Sequence, residues 1–261
     1  MTVSGLTVEF GGLRALHDVS LSVGEQEILG VIGPNGAGKT TLFNAVCGFV
    51  RPTAGTIEYA GRRLHHHRPH DLAALGIART LQALGLWPGL TVLENVMAGA
   101  HAQARAGLFS ALLGLPASSR DERRLRERGL EIMRRLHIED VAHRLPRELP
   151  YPIQKRVALA RALITEPRLL MLDEPVGGLS LAEMDDLRSF IRELRSRVAV
   201  VLVEHHMDFV MTVCDRLVVL DFGQVIASGP PETVRADPAV ITAYLGEEVT
   251  GDEPGGVHAR D

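Results

Sequence analysis

Aliphatic residues fall in three short, nearly unbroken runs, Ile28 to Ile32, Leu169 to Leu172 and Val198 to Val203, each closed at once by a polar residue or glycine. Runs so short and apolar predict strands buried on both faces, as in a parallel sheet covered by helices. The N-terminal part alternates instead. Leu6 to Phe10, Ala15 to Val23 and Thr56 to Tyr59, with turns at Gly11-Gly12 and Gly61, predict a small antiparallel layer beside that sheet. Between Leu84 and Leu149 the apolar period lengthens: Val92, Leu93, Val96 and Met97, then Leu125, Ile132, Met133 and Leu136, recur at helical spacing. The expected fold is therefore α/β, with a parallel sheet and flanking helices, an N-terminal antiparallel β subdomain and an inserted α-helical subdomain. Arg120 to Arg128 reads as a solvated helix face, and the glycine-rich, charged segment from Gly246 to Asp261 as a frayed tail.

Composition narrows the function classes. The chain has 261 residues, 46% of them hydrophobic, enough for a core without metal or disulfide staples. Lys and Arg total 28 against 32 Asp and Glu, a net charge of −4, so no basic footprint for general nucleic-acid binding exists. Lys39 and Lys155 are the only lysines. Cys47 and Cys214 lie far apart in apolar stretches and read as small buried hydrophobes in a reducing compartment. Met1 to Phe10 lacks the charge and apolar run of a signal peptide, and no run approaches the ~20 apolar residues of a membrane helix. The expected location is cytoplasmic.

Chemistry enters with Gly33-Pro34-Asn35-Gly36-Ala37-Gly38-Lys39-Thr40, which fits the phosphate-loop pattern GxxxxGK[ST]. The run Ile28 to Ile32 feeds into it, and the helical run Thr41 to Val46, closed by Gly48, follows. Glycines let backbone N–H groups converge on phosphate oxygens, and the helix N-terminus adds a favourable dipole. Lys39 would reach the β- and γ-phosphates, and Thr40 would hold Mg²⁺ through its hydroxyl. The core is thus expected to be of the P-loop NTPase kind.

A second element is the run Leu169 to Leu172 ending in Asp173-Glu174-Pro175. A strand-end Asp beside a P-loop holds Mg²⁺, here through water, and Glu174 is placed to orient and deprotonate an attacking water. A third is His205, just beyond Val203 and Glu204, where an imidazole can hydrogen-bond the γ-phosphate. All three lie at expected C-terminal strand ends, where open α/β sheets bind ligands.

With these residues in this order, the chain resembles the ATP-binding subunit of ABC transporters. Gly76 to Gln82 looks like that family's Q-loop segment, which implies that Gln82 senses Mg²⁺ and water. Phe10, before Gly11-Gly12, matches the family's adenine-stacking aromatic. Thr91 to Val96, the stretch through Leu112-Leu113-Gly114-Leu115-Pro116, and Ala243-Tyr244-Leu245-Gly246 are similar to the LivG-type subunit of branched-chain amino acid importers. The resemblance implies one ATP-binding domain over residues 1–245, with a core at about 1–83 and 158–245, a helical subdomain at about 84–157, and a tail at 246–261. The implied catalytic residues are Glu174, His205, Gln82 and Lys39. Nucleotide contacts would come from Phe10 and from Gly33, Pro34, Asn35, Gly36, Ala37, Gly38, Lys39, Thr40 and Thr41, and Mg²⁺ ligands from Thr40, Gln82 and Asp173.

One segment departs from the family. Leu149-Pro150-Tyr151-Pro152-Ile153 aligns with the signature loop LSGGQ, so proline replaces its serine and its second glycine. That loop contacts the γ-phosphate held by the opposite subunit, and proline supplies neither a hydroxyl nor an N–H. A heterodimer, with a partner carrying an intact loop, is expected over a homodimer. Permease subunits, and indirectly a solute-binding protein, would complete an importer for branched-chain or related amino acids, with this subunit peripheral on the inner membrane face. Two other readings stay open: a soluble ABC ATPase driving a non-transport machine, and a slow-turnover nucleotide sensor. Trp87 follows the Q-loop where the family docks a permease helix. The His65-His66-His67 run reads as a solvated loop rather than a metal site.

Overall fold

The computed structural model describes residues 1–80, 84–101 and 116–250. Chain order runs β1 (Thr2–Phe10), β2 (Leu13–Ser22), β3 (Ile28–Ile32), α1 (Lys39–Val46), β4 (Ala54–Tyr59), β5 (Arg62–Arg63), α2 (Leu72–Leu75) and β6 (Ile77–Arg79). It continues through α3 (Val92–His101), α4 (Pro116–Arg135), α5 (Tyr151–Leu163), β7 (Leu169–Asp173), α6 (Leu181–Leu194), β8 (Ala199–Val203) and α7 (Met207–Val213). A hairpin of β9 (Arg216–Asp221) and β10 (Gln224–Gly229), then α8 (Pro231–Arg235) and α9 (Pro238–Thr250), follow.

Two sheets form. One has the order β2-β1-β4-β5 and is antiparallel; the other has the order β10-β9-β3-β8-β7-β6. Its strands are parallel except β10, which turns back against β9. The three aliphatic runs are its centre, buried at every position. Alternate residues point to opposite faces. Ile28, Ile32, Leu170, Leu172, Val200 and Leu202 join a core with α3, α4, α5, α6 and α7. Leu29, Val31, Leu169, Met171, Val201 and Val203 join a second core with α1 and the antiparallel sheet. The parallel sheet is thus the middle layer of three, which is why its strands carry no polar face.

Three features lie beside the sequence expectation. The hairpin β9–β10 extends the sheet beyond the strands expected from the aliphatic runs. Helix α5 runs unbroken across the subdomain boundary expected at residue 157. Helix α9 continues through Gly246 to Thr250, so the expected tail does not begin at 246; residues 251–261 lie outside the described ones. Both cysteines are buried, and burial pushes the Cys47 thiol up to about 11 and that of Cys214 higher still.

Candidate functional site

The sheet order sets β8 between β3 and β7, and the register brings their C-terminal ends level. Val203 pairs with Val31 on one side and Asp173 on the other, and Glu174 N donates to Val203 O at 2.9 Å. The loops bearing Gly33 to Thr41, Asp173-Glu174 and His205 therefore leave the sheet along one edge, at one height.

The phosphate loop needs its glycines. Gly33 has φ +148, and a Cβ there would meet Leu220 O at 2.0 Å; Gly38 has φ +101, and its Cβ would meet Ala15 O at 2.7 Å. Strand β2 on one side and β9 on the other pack too close for any side chain. Asn35 and Gly36 are exposed at the crest, Pro34 is half-buried and Ala37 is buried. Lys39 and Thr40 open α1, followed by Thr41, and Lys39 Nζ donates to Gly33 O at 2.5 Å and Pro34 O at 2.7 Å. The ammonium is held inside the loop by carbonyls, at the mouth where the backbone amides gather. Phe10 ends β1, 48% exposed, opposite Leu13 across the Gly11-Gly12 turn.

Asp173 is buried and paired to Arg79: Nη2 lies 2.8 Å from Oδ2, and each side chain is only 7% exposed. Glu174 follows in the left-handed region at φ +47, an uncommon conformation for a non-glycine residue that favours functional loops. Its carbonyl and that of Pro175 accept from Lys155 Nζ at 2.9 and 3.2 Å. Burial pulls the Lys155 ammonium below the ordinary lysine range, opposed by the carboxylates of Glu204 and Glu174. His205 is exposed, its ring tilted against that of His206 at 4.3 Å. Gln82 lies outside the described residues.

Four positioning residues escaped the sequence reading. Arg79, anchored by Asn44, holds Asp173, Lys155 ties α5 to the Glu174 carbonyl, and Glu204 organises two loops. The last is fully buried: Oε1 accepts from Val176 N at 2.9 Å, and Oε2 from His205 N at 2.9 Å and His206 N at 3.2 Å, with His206 Nδ1 at 3.0 Å. A carboxylate closing an all-aliphatic run was the available signal. Among the described residues Glu204, His205 and His206 also form a group with metal-ligand atoms close together, with three hydrogen-bond contacts converging on Glu204 Oε2 and one on Oε1. Glu204→Ala would strand buried amides and is expected to cost about 1–3 kcal/mol of stability for each one left unsatisfied. Urea unfolding checks this; an unchanged midpoint would mean that water replaces the carboxylate.

At the altered signature loop, Pro150 is the N-cap of α5 and Pro152 sits in its first turn. The Pro150 carbonyl accepts from Gln154 N at 3.1 Å, and no side chain caps the helix. Tyr151 and Ile153 are the first-turn amides that can face a ligand, because Pro152 has none. Tyr151 is 46% exposed, its ring 5.4 Å from Lys155 Nζ. At the other end of α5, Trp87 is 49% exposed beneath the Arg161 guanidinium. Its loop is pinned by buried Asn95, which accepts from Trp87 N and donates to the carbonyls of Trp87, Leu90 and Thr91. His67 bonds to Val46 O at 2.7 Å, and His65 stacks on His66.

Comparisons with known proteins bear on the family and the fold. Residues 16–177 match the family model of the ABC transporter, and residues 224–250 that of the branched-chain amino acid ATP-binding cassette transporter. The chain is 42% identical over 249 residues to the high-affinity branched-chain amino acid transport ATP-binding protein LivG of Salmonella typhimurium, covering 95% of this chain and 98% of that one. The corresponding protein BraF of Pseudomonas aeruginosa is 41% identical over 249 residues, 95% of this chain and 98% of BraF. Among solved structures, a nucleotide-free ATP-binding cassette from an ABC transporter aligns with TM-score 0.82 and 29% identity, over 93% of this chain and 97% of that one. An ATP-binding cassette in its ADP conformation gives TM-score 0.80 and 29% identity, over 94% and 98%. Among the described residues no helix is long and apolar enough to cross a membrane.

Proposed function

The chain belongs to the ABC transporter family as an ATP-binding, ATP-hydrolysing subunit, and on that premise we propose that it energises import of branched-chain or related amino acids. The observation that carries the solute class is the match of residues 224–250 to the branched-chain cassette model, together with relatives of that named function along nearly the whole chain. Separate permease subunits hold the complex at the inner membrane face. The pinned, half-exposed Trp87 loop supports this as a docking point, since an exposed indole held rigid suits a partner's apolar surface.

In the proposed mechanism Phe10 stacks on adenine, and the amides from Gly33 to Thr41 cradle the phosphates. Lys39 leaves the loop carbonyls to neutralise charge on the transferred phosphoryl group, the larger part of catalysis in this chemistry. Glu174 takes a proton from the attacking water, and His205 contacts the γ-phosphate. Thr40 and Asp173, with Gln82, offer the hard oxygen donors that suit Mg²⁺, and Arg79 already occupies one Asp173 oxygen, which fits an outer-sphere ligand better than a direct one. When bound, Mg²⁺ neutralises phosphate charge.

The subunit's own half-site has every group this mechanism needs, whereas Pro150 and Pro152 impoverish what it lends to an opposite site. A heterodimer confines that defect to one of two sites; a homodimer repeats it. A lost charge-assisted hydrogen bond of about 1.5–3 kcal/mol would weaken the shared site by about 10–150-fold. The purified chain alone is therefore expected to show little steady-state ATPase, and full activity with a second ATP-binding subunit that has an intact signature loop. Full activity of the chain alone would overturn the heterodimer. Uptake of labelled leucine by the assembled transporter, against labelled urea, tests the solute class.

A further inference from the structure

Arg79 ends β6 and reaches two elements at once. Nη2 bonds Asp173 Oδ2 at 2.8 Å, and Nη1 bonds Asn44 Oδ1, on α1, at 2.8 Å. The guanidinium is wedged against the faces of Phe43 and Phe49, at 5.5 and 5.7 Å, and its Nε is buried without a hydrogen-bond partner. The next residue joins in: Thr80 Oγ1 accepts from Asp173 N at 3.4 Å. A planar fork with donors on both arms is fixed in a way a lysine would not be.

The position of Asn44 gives this clamp its meaning. Asn44 stands four residues after Thr40 in α1, and such residues lie on one helix face. Thr40 and Asp173 are the two oxygen ligands proposed for Mg²⁺ among the described residues. Thr40 opens helix α1 whereas Asp173 ends strand β7, so they come from different elements. The chain Thr40–Asn44–Arg79–Asp173 links them, through helix, amide and guanidinium. We infer that Arg79 is a positioning residue that sets the separation and orientation of the Thr40 hydroxyl and the Asp173 carboxylate for Mg²⁺. By holding Oδ2, it leaves Oδ1 as the oxygen that accepts from a metal-bound water. The guanidinium also balances a carboxylate that would otherwise stand buried and unpaired between nucleotides. The inference rests on Thr40 and Asp173 being the metal ligands.

The test is binding of a fluorescent ATP analogue to the full chain, titrated with MgCl₂ and repeated in EDTA, beside thermal melting and ATP turnover. Groups that orient a metal ligand typically contribute 10–100-fold to metal affinity. R79M is expected to raise the Mg²⁺ concentration at half-saturation at least about tenfold, with nucleotide affinity in EDTA unchanged within about twofold. R79K should recover only part of the loss, because one ammonium cannot bridge Asp173 and Asn44 as the fork does. N44A keeps the ion pair and removes its anchor; it should raise half-saturation about 2–12-fold, the range of one hydrogen bond. Should R79M fail to fold, N44A decides. If folded R79M and N44A melt earlier but keep the normal Mg²⁺ half-saturation, the ion pair is structural and the inference fails. D173N separates the premise: if D173N too leaves Mg²⁺ dependence untouched, Asp173 is not the metal carboxylate.

Discussion

Glu174→Gln is expected to slow ATP turnover by about 10²–10⁴-fold, the contribution of a positioned general base, while leaving nucleotide affinity within about twofold. The amide keeps the shape of the side chain and loses only the basic oxygen. The Glu174 backbone is held from both sides. Its N–H bonds to Val203 O on the central strand, and its carbonyl accepts from Lys155. The left-handed backbone at φ +47 turns the chain sharply after Asp173, so that two successive carboxylates need not compete for one direction. Single-turnover hydrolysis beside equilibrium binding reads the two effects separately. Loss of binding equal to the loss of turnover would remove Glu174 from the base role.

Lys39→Ala should act more broadly, on affinity as well as on rate. Charge-assisted hydrogen bonds to phosphate at about 1.5–3 kcal/mol predict a 10–150-fold weaker ATP complex. Electrostatic stabilisation of the transferring group adds about 10²–10³-fold in rate. Lys39 already donates to the carbonyls of Gly33 and Pro34, so its removal also leaves the loop without the cation that draws these two carbonyls inward. Titration with a fluorescent nucleotide checks the affinity. Unchanged affinity would mean that the backbone amides alone bind the phosphates and that Lys39 serves only the chemical step.

The parts of this site that were legible in the sequence are those whose chemistry is written in neighbouring residues. The phosphate loop is a continuous octapeptide between a strand and a helix, and β3 occupies the residues expected, because a strand buried on both faces has no polar position to blur its ends. Asp173 and Glu174 announce themselves by following an aliphatic run. The hairpin β9–β10 was not legible: its turn is Phe222-Gly223, with Phe222 87% exposed at φ +41, where turn chemistry would favour asparagine or glycine. Strand β6 has three residues, too few to show a period. The clamp on Asp173 was beyond sequence reasoning for a different reason. Arg79 and Asp173 stand 94 positions apart, and only the adjacency of β6 and β7 brings them together. Proline at 150 and 152 was visible, but that one first-turn amide is missing while its neighbours remain follows from where α5 begins.

Lys155 bears on how force passes through the molecule. It projects from the helix that begins at the altered signature loop, and its two hydrogen bonds end on the carbonyls of Glu174 and Pro175. A helix that docks on a neighbouring subunit and swings as a rigid rod would therefore pull directly on the backbone of Glu174. Each bond from the ammonium is worth about 1.5–3 kcal/mol, so the linkage resists small torques and gives way under large ones. On the proposed arrangement, the Lys155 link would add a polar tie to the apolar packing of α5 on β7 between the two faces of the subunit.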